Sequence, residues 1–136
     1  MATVNVTLSL SSTDLFAKQN ISFTETDVLS PAGDQATVGR IVTSGSGTKD
    51  NIATKALDGT NDLAYVFIHN LSTTTGEYVK VSLCATHGSD SASGDWFSVL
   101  GPGEFLFIPT SDMQDIDLEA ASGNPVVEYV LMEKAA

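Results

Sequence analysis

Four short apolar runs between Leu63 and Pro109 constrain this chain more than any other feature. They are Leu63-Ala-Tyr-Val-Phe-Ile-His-Asn70, Glu77-Tyr-Val-Lys-Val-Ser-Leu-Cys84, Trp96-Phe-Ser-Val-Leu100 and Glu104-Phe-Leu-Phe-Ile-Pro109. β-Branched and aromatic residues dominate them. Such side chains pack well on a pleated surface and crowd the preceding turn of a helix. Polar turns separate the runs, and no 3.6-residue period is sustained anywhere in the chain. A β-rich core follows.

The remaining segments fit the same reading. Val4, Val6, Leu8 and Leu10 alternate with Thr3, Asn5, Thr7 and Ser9, the period of a half-buried strand. Ser12 to Lys18 is expected to form one helical turn, capped by Ser12 or Thr13. Residues 21–28 alternate again, and Ser30-Pro-Ala-Gly-Asp34 is a breaker. Val38 to Thr43 is a weaker strand, and Ser44 to Thr48 a flexible tip. In 63–69 both faces are apolar, which places that strand inside the fold. Gly101-Pro-Gly-Glu104 suits a type II turn, with Pro102 presetting φ and Gly103 supplying positive φ. It is expected to join the strands on either side of it. Asp115-Ile-Asp-Leu-Glu119 puts carboxylates on one face, and residues 126–133 form a last, mostly buried strand. About ten strands with regular turns predict one all-β domain over 1–136, a β-sandwich or jelly roll. Tyr65, Phe67, Val79, Val81, Leu83, Phe105, Phe107, Val130 and Leu131 are the expected main core. The first 35 residues are more polar and are read as an arm that contacts neighbouring subunits.

A chain of 136 residues fits a single domain able to hold a core without disulfides or metals. Net charge is −11, from 17 acidic and 6 basic residues. Between Lys80 and Lys134 there is no Lys or Arg. Such a surface repels phosphate backbones and anionic membranes, so neither nucleic acid nor membrane is an expected partner. No apolar run is long enough for a membrane helix. The N-terminus lacks the pattern of a secretory signal, which makes the cytoplasm the expected place of synthesis. The lone Cys84 closes an apolar run and is read as a small buried hydrophobe.

Residues that could carry chemistry are few. Cys84 and His87 make a C-x-x-H half-site, but a structural zinc site needs four ligands and the chain holds three Cys and His in total. His87-Gly-Ser-Asp90 groups nucleophile-like types in one loop, without a Gly-x-Ser-x-Gly elbow. Asp112, Asp115 and Asp117, with Glu119, are the candidate metal ligands. A straight strand face does not converge on a point as calcium requires, so a solvated acidic face is the favoured reading. Gly45-Ser-Gly-Thr-Lys49 lacks the order of a phosphate-binding loop. Asn5, Asn20 and Asn70 begin glycosylation-type triplets, which are assigned to chance. Trp96, Phe97, Phe105 and Phe107 are candidates for a sugar-stacking platform, although Phe105 and Phe107 share a face that reads as core. No enzyme activity and no cofactor are expected.

The pattern Tyr65-Val-Phe-Ile-His-Asn70, Val79-Lys-Val-Ser-Leu83, Gly101-Pro-Gly-Glu-Phe-Leu-Phe-Ile-Pro109 and Pro125-Val-Val-Glu-Tyr-Val-Leu-Met-Glu133 resembles small jelly-roll decoration (cement) proteins of tailed bacteriophages. It covers about half the chain and is a pattern of strands and turns. The resemblance implies a non-enzymatic structural protein of the virion, bound to the major capsid protein on the outside of the head. It also implies a homo-oligomer, a trimer first, whose N-terminal arm touches the shell. Thr3, Val4, Val6, Leu8 and Leu10 are then the expected contact residues. A phage tail or head-fibre component and a carbohydrate-binding β-sandwich are the alternatives.

Overall fold

The computed structural model describes residues 3–16, 19–29, 31–53, 64–84, 96–110 and 115–134. Among them there are ten strands and no helix. β1 (Val4–Phe16) and β2 (Gln19–Leu29) form a two-stranded antiparallel sheet of their own. The other eight are β3 (Pro31–Val42), β4 (Lys49–Ala53), β5 (Ala64–Asn70), β6 (Val79–Cys84), β7 (Trp96–Leu100), β8 (Phe105–Thr110), β9 (Asp115–Ala120) and β10 (Val126–Lys134). They build two four-stranded sheets. The first has the order β3-β10-β5-β8 and the second β4-β9-β6-β7.

The pairings are nested. β3 pairs with β10, β4 with β9, β5 with β8 and β6 with β7, all antiparallel. One long antiparallel ribbon, rolled up on itself, gives this order. The fold is all-β, and its two four-stranded antiparallel sheets are consistent with a β-sandwich.

The core lies between the sheets. β5 contributes Val66 and Ile68, and β10 contributes Val127 and Leu131. Facing them are Val79 and Val81 of β6, Ile116 and Leu118 of β9, Ile52 of β4 and Leu100 of β7. Alternation explains the selection, since residues i and i+2 of a strand share a face. Each fully buried Val, Leu or Ile contributes about 1.5–3 kcal/mol relative to exposure. Of the expected core, Val79, Val81 and Leu131 are buried and Leu83 packs against the cluster. Tyr65, Phe67, Phe105, Phe107 and Val130 are instead on the opposite face of the first sheet. Val130 and Leu131 are neighbours in a strand, so the pleat sends them to opposite sides.

Several local features differ from the expected pattern. Ser12 to Phe16 continue β1 and form no helical turn. The breaker at Pro31 opens β3, an edge strand, where a missing N–H is tolerated. Pro109 likewise sits within β8, the other edge of that sheet. The turn at 101–104 forms as expected, with Gly103 at φ 75° and Glu104 N–H donating to Gly101 O at 3.0 Å. It does not make a hairpin, because β7 and β8 belong to different sheets. It is a corner at which the ribbon crosses over.

Asn70 secures that end of the sandwich. Its Nδ2 donates to the carbonyls of Glu77, Leu100 and Gly101 at 2.9, 3.2 and 3.1 Å. Its Oδ1 accepts from Ser72 N–H at 3.1 Å. Its own N–H donates to Glu104 O at 3.0 Å, and its carbonyl accepts from Gly103 N–H at 2.9 Å. One fully buried amide thus ties the β5–β6 loop to the β7–β8 corner.

Candidate interaction surface

The outer face of the first sheet is largely apolar. Register places Val38, Val130, Phe67 and Phe107 in one row across β3, β10, β5 and β8. The next row reads Arg40, Glu128, His69 and Phe105, and the row on the other side contains Met132, Tyr65 and Pro109. Tyr65 and Phe107 stack with centroids 6.4 Å apart, and Phe67 lies 6.0 Å from Phe105. His69 meets the Phe105 ring edge-on at 6.5 Å. The second sheet packs on the other side; on this face Met132 is buried and Phe67, Phe107 and Val130 are half-buried. Phe105 remains 58% exposed and Val38 71%. Arg40 bonds Glu128 at 3.2 Å with most of its side chain in solvent, an ion pair of little energetic weight.

The β1–β2 arm borders this face. A groove of about 480 Å³ runs between Val4–Thr7 of β1 and the side chains of Phe67, Phe105, Phe107, Val130 and Met132. The arm is amphipathic. Opposed pairs Val4–Leu29, Val6–Asp27, Leu8–Glu25, Leu10–Phe23 and Ser12–Ile21 share one face. The other face pairs Asn5–Val28, Thr7–Thr26, Ser9–Thr24 and Ser11–Ser22. There the hydroxyls of Thr7 and Thr26 lie 3.2 Å apart and those of Ser9 and Thr24 3.3 Å apart, a polar ladder suited to water. On the apolar face Leu29 is buried and Val4 and Val6 are half-buried, whereas Leu8, Leu10 and Phe23 are exposed.

The outer face of the second sheet is polar and internally paired. Asp117, fully buried, accepts from Asn51 Nδ2 at 2.9 Å. Glu119, 7% exposed, accepts from Lys80 Nζ at 3.0 Å. A bulge at Phe97 sets Trp96 opposite Ser82, and the ammonium groups of Lys80 and Lys49 lie 5.0 and 5.6 Å from the Trp96 ring centre. Cation–π attraction and ion pairing hold this cluster together.

These placements decide several sequence readings. Asp117 and Glu119 do share a face, but it is not solvated. Both are buried and hydrogen-bonded, which corrects the expectation of a free acidic strand face. Asp112 lies outside the described residues, and β9 begins at Asp115. Among the described residues no group of three or more His, Cys, Asp or Glu could hold a metal ion. His87, Ser89 and Asp90 lie outside the described residues, and Cys84 ends β6. Trp96 stands on one sheet while Phe105 and Phe107 stand on the other, so they form no common sugar platform. Asn70 is buried and in use, which closes that glycosylation triplet. Thr3, Val4, Val6, Leu8 and Leu10 all lie on or beside the arm. No helix of the described residues is long and apolar enough to cross a membrane.

Sequence reasoning misses the aromatic outer face. A signal is present: in 64–70 both alternating sets are apolar, yet only one of them can face the second sheet.

No family model matches the chain, and no curated protein matches it. Among solved structures, a chain of the Bacillus endospore appendages, described as a novel family of disulfide-linked pili, is similar at 14% identity. The alignment covers 77% of this chain and 95% of that one, with a TM-score of 0.45. At that level it is a similarity and no more.

Proposed function

We propose that this protein is a structural subunit of a virion, a decoration (cement) protein that binds the outside of a phage head and stabilises it without catalysis. The observation that carries this reading is the amphipathic arm beside an exposed aromatic sheet face. A ribbon with exposed Leu8, Leu10 and Phe23, and a sheet with exposed Phe105 and Val38, are surfaces of the kind that mark association. The partner is the major capsid protein, and the subunits act as a homo-oligomer, a trimer first. The resemblance of the strand-and-turn pattern to decoration proteins supports the choice of lattice. The acidic surface suits an outer position, because packaged nucleic acid repels it.

A clamp of this kind works by mass action. Binding only the assembled lattice stabilises it by RT ln(1 + [L]/Kd), about 2.7 kcal/mol per site at a hundredfold excess over Kd. The arm residues Thr3, Val4, Val6, Leu8 and Leu10 serve the contact. The test is direct: purified particles from the source are labelled with antibody to this chain and viewed by electron microscopy. Regular label on the head exterior is the expected result. Label confined to tails, or absence of the chain from mature particles, overturns the assignment.

A further inference from the structure

We infer that the outer half of the arm's apolar face docks on the aromatic outer face of the first sheet of a second copy of this chain, giving a head-to-tail contact between copies. The occupant follows from what the single chain leaves uncovered. Leu29 is 1% exposed and Val4 and Val6 are half-buried, so the base of the arm has covered its apolar side within its own molecule. Leu8, Leu10 and Phe23 continue the same side but stay 43%, 51% and 43% exposed. The arm has little reach to fold further in. β2 ends at the buried Leu29, and one residue separates it from β3, which begins at Pro31, whose ring fixes φ. The apolar side of the arm's outer half is left exposed.

The receiving surface is complementary in shape class, and it offers one cation beside its own Glu128. It is a sheet face, largely apolar, whose exposed end carries Phe105. A two-stranded ribbon of nine contiguous residue pairs is about 27 Å long and about 10 Å wide across its strands, which is on the scale of a four-stranded sheet. Along its β2 row the docking face carries Glu25, opposite Leu8. The receiving face carries Arg40, whose guanidinium gives one contact to Glu128 and has further donors. In a chain of net charge −11, an exposed cation on this face is the element that meets an acidic ribbon. Arm and face differ, so the contact is heterologous, and each copy can give one arm and receive another. Leu8 and Leu10 thus serve a contact between copies in place of a shell contact, and that contact does not depend on a shell.

The test uses the full chain in solution. Leu10→Cys and Phe105→Cys are made separately in a Cys84→Ser background, purified, mixed and oxidised. The expected product is the mixed disulfide dimer, arm to face, at least about tenfold over either homodimer once thiolate exchange equilibrates. Adding Phe23→Asp to the arm variant should abolish it. If Cys84→Ser does not fold, a photo-crosslinking residue at position 10 of the otherwise natural chain replaces the cysteine pair, and the crosslinked peptide should map to β8 or β5. In parallel, sedimentation equilibrium to about 1 mM should show association that Phe23→Asp removes. A monomer throughout, or crosslinks that join arm to arm, overturns the inference. Either result leaves the labelling of particles to decide the capsid reading separately.

Discussion

Asn70 shows how much a single buried amide can hold. Three carbonyls and one N–H depend on its side chain, and the residue itself is fully buried. Leaving buried polar groups unpaired costs about 1–3 kcal/mol each before relaxation. Asn70→Ala should therefore lower unfolding free energy by about 2–4 kcal/mol in denaturant titration, which places it among the severe substitutions. A second contrast separates the two sheet faces. Leu118→Ala, in the core between the sheets, should cost about 2–5 kcal/mol. Phe107→Ala, on the outer face, should cost clearly less in the isolated monomer, about 1–2 kcal/mol, despite the larger side chain. Equal losses would mean that Phe107 is as enclosed as Leu118.

At the scale of elements, the strands are legible in the sequence and their sidedness is not. Period two marks a strand whichever face is buried. In β5 the sets Tyr65, Phe67, His69 and Val66, Ile68, Asn70 are both credible core faces, and side-chain size points to the aromatic one. The structure puts the aliphatic set inside. β10 holds the clue, since Glu128 shares a face with Val130 and Met132 and marks that side as outer. Buried Asp117 and Glu119 are equally opaque, because their partners Asn51 and Lys80 come from strands distant in sequence. The Gly39–Tyr129 pair tests the β3–β10 seam in the same way. A Cβ at position 39 would overlap the Tyr129 ring that lies across from it. Gly39→Ala should destabilise by about 1–3 kcal/mol through overpacking. In a Tyr129→Ala background the same change should cost much less, a coupling that a double-mutant cycle of denaturation curves reads directly.

For the whole molecule, two opposed terms set how copies meet. Apolar surface on the arm and on the first sheet draws them together, while a net charge of −11 on each copy holds them apart. The apolar term is insensitive to moderate salt. The repulsion is not, because the screening length falls from about 30 Å at 0.01 M to about 8 Å at 0.15 M ionic strength. Contact between an arm and a neighbouring sheet brings two acidic bodies within that range. Raising sodium chloride across this interval should therefore strengthen self-association several-fold, read as a fall in the dissociation constant by sedimentation equilibrium. Arg40 works in the other direction, since its attraction for Glu25 is also screened. Arg40→Gln should accordingly weaken association at low salt and make the salt-induced gain larger than in the parent chain. Weaker association with rising salt in the parent would show that charge pairs, and not the apolar faces, hold the copies together.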